Sequence, residues 1–164
     1  SRIISYRYYS PSKLNIMRAM TTEESIKLLA HNYIGRLGYI SRARGEIIPI
    51  TYYYNPEQHS ILTYSGQGGK IEAMRKNPLV TFQVDEISSL EEWKSVLLYG
   101  KFEELKGTDA KYMLRLFSEG VKKVIKNKGN SCPDFIENFS SKSNSESPVV
   151  YRINIDEING RQRE

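Results

Sequence analysis

The chain has 164 residues, a formal charge of +5 and a sequence pI of about 9.2. That length suits one domain with a sizeable core, and the scattered charges give no basic stripe of the kind that marks a nucleic-acid surface. A single cysteine, Cys132, excludes an internal disulfide or a cysteine metal site within one chain, and with no apolar run near the ~20 residues of a membrane span and no signal-peptide core, the expectation is a cytoplasmic protein with a reduced thiol.

Residues 1–16, with Tyr6, Tyr8 and Tyr9, show no clean period and read as a tail or edge segment ahead of a domain over 17–164. Thr21-Thr22-Glu23-Glu24 is a capping box, with Thr21 as N-cap, and Ile26, Leu29 and Ala30 continue an amphipathic helix to about Asn32. Residues 34–41 read as a first strand whose two glycines suggest a bend or close backbone approach. A polar turn over 42–46 leads to a second strand, 47–54, with Ile48, Ile50, Tyr52 and Tyr54 on one face. Residues 55–60 form a hairpin loop into a third strand that ends in Tyr64-Ser65. The loop Gly66-Gln67-Gly68-Gly69-Lys70 precedes a short helix with Ile71 and Met74 on one side, stopped by Asn77-Pro78. Residues 79–85 alternate strictly, with Val80, Phe82 and Val84 facing one way and Leu79, Thr81, Gln83 and Asp85 the other.

A polar connection carrying Glu86, Glu91 and Glu92 follows, best read as a solvated turn. Residues 94–105 form a long strand with a bulge or kink at Gly100. Thr108 or Asp109 caps a helix through about Lys126, where Met113, Phe117, Gly120 and Val124 make a core stripe with Leu116 and Val121 beside it. A helical turn over 133–139, a polar flexible loop over 140–148 and a last strand over 149–155, with Tyr151, Ile153 and Ile155 on one face, complete the chain. About six strands joined mostly by short turns imply a mainly β fold with flanking helices, antiparallel pairing and barrel closure.

The chemistry concentrates in the loop over 65–70. Glycines let backbone N–H groups turn inward, the helix start adds partial positive charge, Ser65 supplies a hydroxyl and Lys70 a full charge, a set that suits a phosphate monoester. The spacing is neither GxxxxGK[ST] nor GxGxxG, and a Gly-rich turn before a helix is also often only a turn. Tyr52 and Tyr64 either border a flat ligand or pack the barrel. His31 at a helix end and His59 in a hairpin loop lack partners at metal spacing, so capping and solvation are the expected roles and no metal is expected.

The order Gly35-Arg36-Leu37-Gly38, Pro49-Ile50-Thr51-Tyr52 and Ser65-x-x-Gly68-x-Lys70-Ile71-x-x-Met74-Arg75-x-Asn77-Pro78-x-Val80-x-Phe82-x-Val84-Asp85 resembles the pyridoxamine 5′-phosphate oxidase-like FMN-binding split barrels, nearest the nitroimidazole-resistance branch. Trp93-x-Ser95-Val96 with Gly100, and the ending Ile153-x-Ile155-Asp156-Glu157-Ile158-x-Gly160-Arg161, are similar to the same branch. The resemblance implies an antiparallel split β-barrel and a homodimer with FMN at the subunit interface. It implies phosphate on Ser65, Gly68, Gly69 and Lys70, backbone of Ile50, Thr51 and Tyr52 along the ring, and Ser95 supporting it, with Trp93 over a ring edge or at a subunit contact. Two positions depart from it: Gly69 stands where the family commonly has Arg, and Tyr64 where the branch commonly has His. The C-terminal substrate segment of the vitamin-processing oxidases is not found, so pyridoxamine phosphate oxidation is not expected.

The expected function is therefore an FMN-dependent oxidoreductase passing electrons from a nicotinamide donor to a small acceptor, with FAD as the alternative nucleotide. The competing class is a non-catalytic flavin or haem carrier or sensor, haem being the weaker fit to a loop lysine. A small RNA-binding barrel would use aromatics beside Lys and Arg, which residues 52–54 permit, but no RNP-like or cold-shock pattern is present.

Overall fold

The computed structural model describes residues 16–137 and 148–164. In chain order these form β1 (Met17–Met20), α1 (Thr22–His31), β2 (Ile34–Ser41), β3 (Arg44–Thr51), β4 (Tyr53–Asn55), β5 (Ser60–Ser65), α2 (Gly69–Lys76), β6 (Leu79–Ile87), β7 (Trp93–Leu105), α3 (Gly107–Asn127), α4 (Asp134–Glu137) and β8 (Val149–Arg163). The strands make one antiparallel sheet in the order β3-β2-β6-β7-β8-β5-β4, with β1 also on β8. β3 and β4 are consecutive in the chain but are not paired with each other, so the curled sheet is a split barrel. Full closure, expected from the short turns, is thus absent from the hydrogen-bond ladder.

Alternation sets the two faces. Leu37, Val80, Phe82, Val84, Val96 and Leu98 point inward and meet Ile61 and Ile153 from the far side of the curl. Ile71 and Met74 of α2 and Leu28 and Leu29 of α1 plug this core at its margins. The capping box at Thr21 is formed in full: Glu24 N–H donates to Thr21 Oγ1 at 3.1 Å and Thr21 N–H to the Glu24 carboxylate at 3.1 Å. A second apolar cluster lies outside the barrel, where Met113, Phe117, Val121 and Ile125 of α3 cover Leu62, Leu105 and Val150. The α3 stripe therefore belongs to packing, as its spacing indicated.

Several boundaries moved, each for a local reason. The expected second strand breaks at Tyr52, whose N–H leaves the ladder to donate to Tyr33 O at 2.9 Å. The turn before it is only Arg42-Ala43, both with positive φ (52° and 59°), and Gly45 lies inside β3. Ile48 faces inward yet stays 36% exposed because β3 is an open edge. α3 begins at Gly107, φ 64°, with Lys106 as N-cap and no side-chain cap, so Thr108 and Asp109 sit in the first turn rather than before it. The last strand runs on to Arg163, and β1, absent from the expected elements, pairs with its end. The expected loop over 140–148 and the segment over 1–16 fall largely outside the described residues. Among the described residues no helix is long and apolar enough to cross a membrane.

Close approach between β2 and β6 gives a stability test. A Cβ at Gly35 would collide with the ring of the fully buried Phe82. Gly35→Ala should lower stability by about 1–3 kcal/mol through overpacking, and Phe82→Leu in that background should recover part of the loss. Denaturant midpoints of the two single variants and the double measure this; strictly additive losses would show that the two residues do not clash.

Candidate functional site

β5 delivers Ser65 to the mouth of the glycine loop, where its hydroxyl donates to Gly66 O at 2.9 Å. Gly68 precedes α2 in a fully extended conformation (φ 168°, ψ −173°) and caps it without a side chain. The N–H groups of Gly69, Lys70 and Ile71 therefore head the helix with no helical acceptor; the first bond of the ladder is Glu72 N–H to Gly68 O at 3.1 Å. None of Gly66, Gly68 or Gly69 has a φ in the left-handed region, and a Cβ built on any of them meets nothing within 4 Å. Glycine here is not demanded by backbone strain; its effect is to leave open space in front of free donors.

Lys70 stands beside that space. It is half-buried, burial pulls its ammonium below the ordinary lysine range, and no carboxylate pairs with it among the described residues. A half-desolvated cation without a counter-charge is a cost that a bound anion removes. The next cation along is committed elsewhere. Arg75 grips Glu104 of β7 at 2.9 and 2.8 Å and Glu72 at 2.6 Å, and reaches Gln67 in the loop at 3.4 Å. It ties the loop to the sheet, and its guanidinium is held charged mainly by the Glu104 hydrogen bonds.

Another group of expected site residues lies on the outer face of the sheet. Ser95 is paired across from Asp85, and its hydroxyl accepts from Gln83 Nε2 at 3.1 Å. Gln83 Nε2 also donates to Asp85 Oδ2 at 2.8 Å, and Arg36 Nη1 lies 3.5 Å from the same oxygen. Arg36, Gln83 and Asp85 were not singled out from the sequence as site residues, although the alternation over 79–85 places Gln83 and Asp85 on the non-core face beside Ser95. Thr51 shares that outer face through its pairing with Ile34, and its carbonyl accepts from Thr63 Oγ1 at 2.7 Å. Ile50 is half-buried against the core, and Trp93 is half-buried at the start of β7.

The tyrosines resolve toward packing. Tyr52 is fully buried, its ring edge-on to Phe82 at 4.8 Å, and its hydroxyl donates to Leu29 O at 2.6 Å. Burial pushes that phenol far above its ordinary range. With its N–H also bound to Tyr33, the expected backbone contribution of Tyr52 reduces to its carbonyl. Tyr64 packs edge-on to Phe117 of α3 at 5.4 Å and so belongs to the outer cluster. His59 is not simply solvated: Nδ1 lies 2.9 Å from the hydroxyl of the buried Tyr54.

Ser65 ends β5 and Lys70 heads α2, whereas Thr51 and Ser95 lie on the outer face of the sheet. A cleft of about 640 Å³ between the β2–β3 turn and α2 includes Gly69; another, of about 530 Å³, includes Trp93 beside the acidic connection. A third, of about 450 Å³, is a shallow apolar depression on the outer face at Ile40, Ile47, Leu79 and Tyr99.

The family model for pyridoxamine 5′-phosphate oxidase matches residues 21–162. The chain belongs to that family. It is 35% identical over 92 residues to an uncharacterised protein of Rhizobium meliloti, a match covering 56% of this chain and 60% of that one, so it spans well under two thirds of that relative. Among solved structures, it is similar to a FAD-binding protein from Mesorhizobium loti at 27% identity and a TM-score of 0.70, covering 92% of this chain and 98% of that one. A candidate 5-nitroimidazole antibiotic resistance protein from Bacteroides thetaiotaomicron superposes with a TM-score of 0.62 at 15% identity, covering 90% and 89%. A FAD- and haem-binding protein from Mycobacterium smegmatis superposes at 0.64 with 14% identity, covering 89% of this chain and 73% of that one. The last two likenesses establish the fold alone.

Lys70 offers a test of its own. Because its folded pKa lies below that of the unfolded chain, its burial destabilises the fold below the folded pKa, and the penalty fades as pH rises from that value to the unfolded one. Lys70→Met should therefore keep or raise the ligand-free melting temperature by up to a few degrees and flatten the alkaline slope of stability. A loss of several degrees instead would mean that the ammonium makes a stabilising contact.

Proposed function

We propose that this chain binds a flavin nucleotide non-covalently and acts as a flavin-dependent oxidoreductase. The observation that carries the reading is Lys70, half-buried and without a carboxylate partner among the described residues, beside an open glycine loop whose following helix begins with N–H groups that have no helical acceptor. Ser65, Lys70 and those N–H groups hold the 5′-phosphate. The ring lies along the outer face, where Thr51 offers backbone and where Gln83 fixes the Ser95 hydroxyl that supports the ring's polar edge. The 27%-identical relative from Mesorhizobium loti that binds FAD supports the flavin class.

The bound flavin would supply the hydride and electron chemistry, from a nicotinamide donor to a small acceptor such as a nitroimidazole; the protein supplies position and electrostatics. On this reading the site is completed by a second copy of the chain, the glycine loop of one copy and the outer-face group of the other holding one flavin. The outer face is also conspicuously apolar: Ile47 is 78% and Leu79 59% exposed, with Ile40 and Tyr99 beside them. A homodimer covering this face would bury the ring between subunits, in an interface of the ~2,000 Å² or more that permanent dimers use.

Lys70→Ala should weaken FMN by roughly ten- to a hundredfold, the worth of a charged hydrogen bond, and leave riboflavin nearly unchanged. Equal losses for both ligands would show that Lys70 acts through folding. Sedimentation at low micromolar concentration should give one dimeric species, and Leu79→Asp should dissociate it and lower flavin affinity with it. A monomer that still binds FMN tightly would remove the second subunit from the site.

A further inference from the structure

The cleft of about 640 Å³ between the β2–β3 turn and α2 is lined, apart from Gly69, by residues that the FMN reading does not use, and it opens at Gly69, inside the phosphate loop. Its walls carry three cations: Arg42 from the turn, Arg44 from the start of β3 and Lys76 from the last turn of α2. Elsewhere in the described chain Arg18, Arg36, Arg75 and Arg152 each pair with a carboxylate, whereas Arg42, Arg44 and Lys76 pair with none among the described residues. Of the acids in the walls, Glu72 is bound by Arg75, which leaves Glu46 as the one carboxylate to offset the three cations. The turn itself is built at a cost. Arg42 and Ala43 both hold positive φ in a two-residue hairpin where Asn-Gly would sit with less strain, and this chain keeps a long cationic side chain at that place.

We infer that this cleft is the subsite for the adenylate half of FAD, and that the absence of a long side chain at residue 69 selects the dinucleotide over FMN. The inference rests on the flavin reading above. With the first phosphate on Ser65 and Lys70, the second lies one bridging oxygen away and leaves the loop past residue 69. A Cβ there would meet nothing within 4 Å, and Gly69 itself lines the cleft that carries Arg42, Arg44 and Lys76. The cleft is within the size range of nucleotide-scale pockets. Ile40, Ala43 and Ala73 give it apolar wall for a purine, and Asn77 a polar edge. A guanidinium at position 69 would do the opposite on both counts: it would add a bidentate donor to the first phosphate and close the passage to the second.

Riboflavin, FMN and FAD titrated separately into the full chain freed of flavin, read by fluorescence quenching, give the test. FAD should bind at least about tenfold more tightly than FMN. Arg44→Ala with Lys76→Ala, both exposed positions, should remove most of that advantage and move FMN by less than about twofold. Gly69→Arg should raise FMN affinity and lower FAD affinity, while Gly69→Ala, with unchanged melting temperature, should alter neither much. If FMN and FAD bind equally and the double variant moves neither, the adenylate subsite is wrong and the flavin reading stands. If Gly69→Arg strengthens both ligands, the passage does not run past residue 69. If none of the three flavins binds, both readings fall together.

Discussion

The fold depends on one long strand that must bend. β8 runs from Val149 to Arg163 and, at ~3.3 Å per residue, would be about 50 Å long if straight. It pairs with β7 along nearly its whole length on one side, and on the other with β5 and then β1. A strand shared this way turns from one wall of the barrel to the other only if its register gives. It does so at the bulge, where Tyr99 pairs with Glu157 but Gly100 pairs with Ile155, leaving Asp156 as the extra residue. Gly100 is required there because a Cβ would strike Asn154 O and the Ile153 side chain. With the bend in place, β5 ends where its Ser65 meets α2, and the glycine loop hangs from the barrel rim.

The same bulge explains why half of β8 was illegible in the sequence. Before it, Tyr151, Ile153 and Ile155 face inward; after it, the inward positions are those paired with Leu98, Val96 and Lys94, namely Ile158, Gly160 and Gln162. The alternation changes phase at Asp156, so the period-2 pattern read from the sequence stops at 155. β1 had no signal at all. Its residues are largely exposed, and it exists because the end of β8 offers an unpaired edge. Helices and strands whose cause is local, such as the capping box at Thr21 or the alternation over 79–85, were readable within a residue or two.

The site divides along the same line. The loop over 65–70 was visible because its chemistry is written in consecutive residues. The tyrosines were ambiguous because a phenol suits a core or a cleft equally, and only the three-dimensional neighbours decide: Leu29 O and Phe82 claim Tyr52, and Phe117 claims Tyr64. Gln83 was placed on the outward face by its alternation but not singled out. As one polar residue on the outward face of a strand it looks like ordinary solvent surface, and its reach to Ser95 depends on the pairing of β6 with β7.

Charge pairing separates the structural cations from the available ones. Arg75 has its donors spread over Glu104, Glu72 and Gln67, so it fixes the loop to β7 and has little left for a ligand. Lys70, at the start of the same helix, has no carboxylate partner among the described residues. The two roles need each other. A loop of glycines is entropically loose, and ordering it is unfavourable unless something anchors it. Arg75 supplies that anchor through its bonds to Glu104, Glu72 and Gln67. On the proposed flavin reading, the loop stays free of side chains where a phosphate would approach, and a bound anion would offset part of the cost of leaving Lys70 half-buried with no carboxylate partner among the described residues.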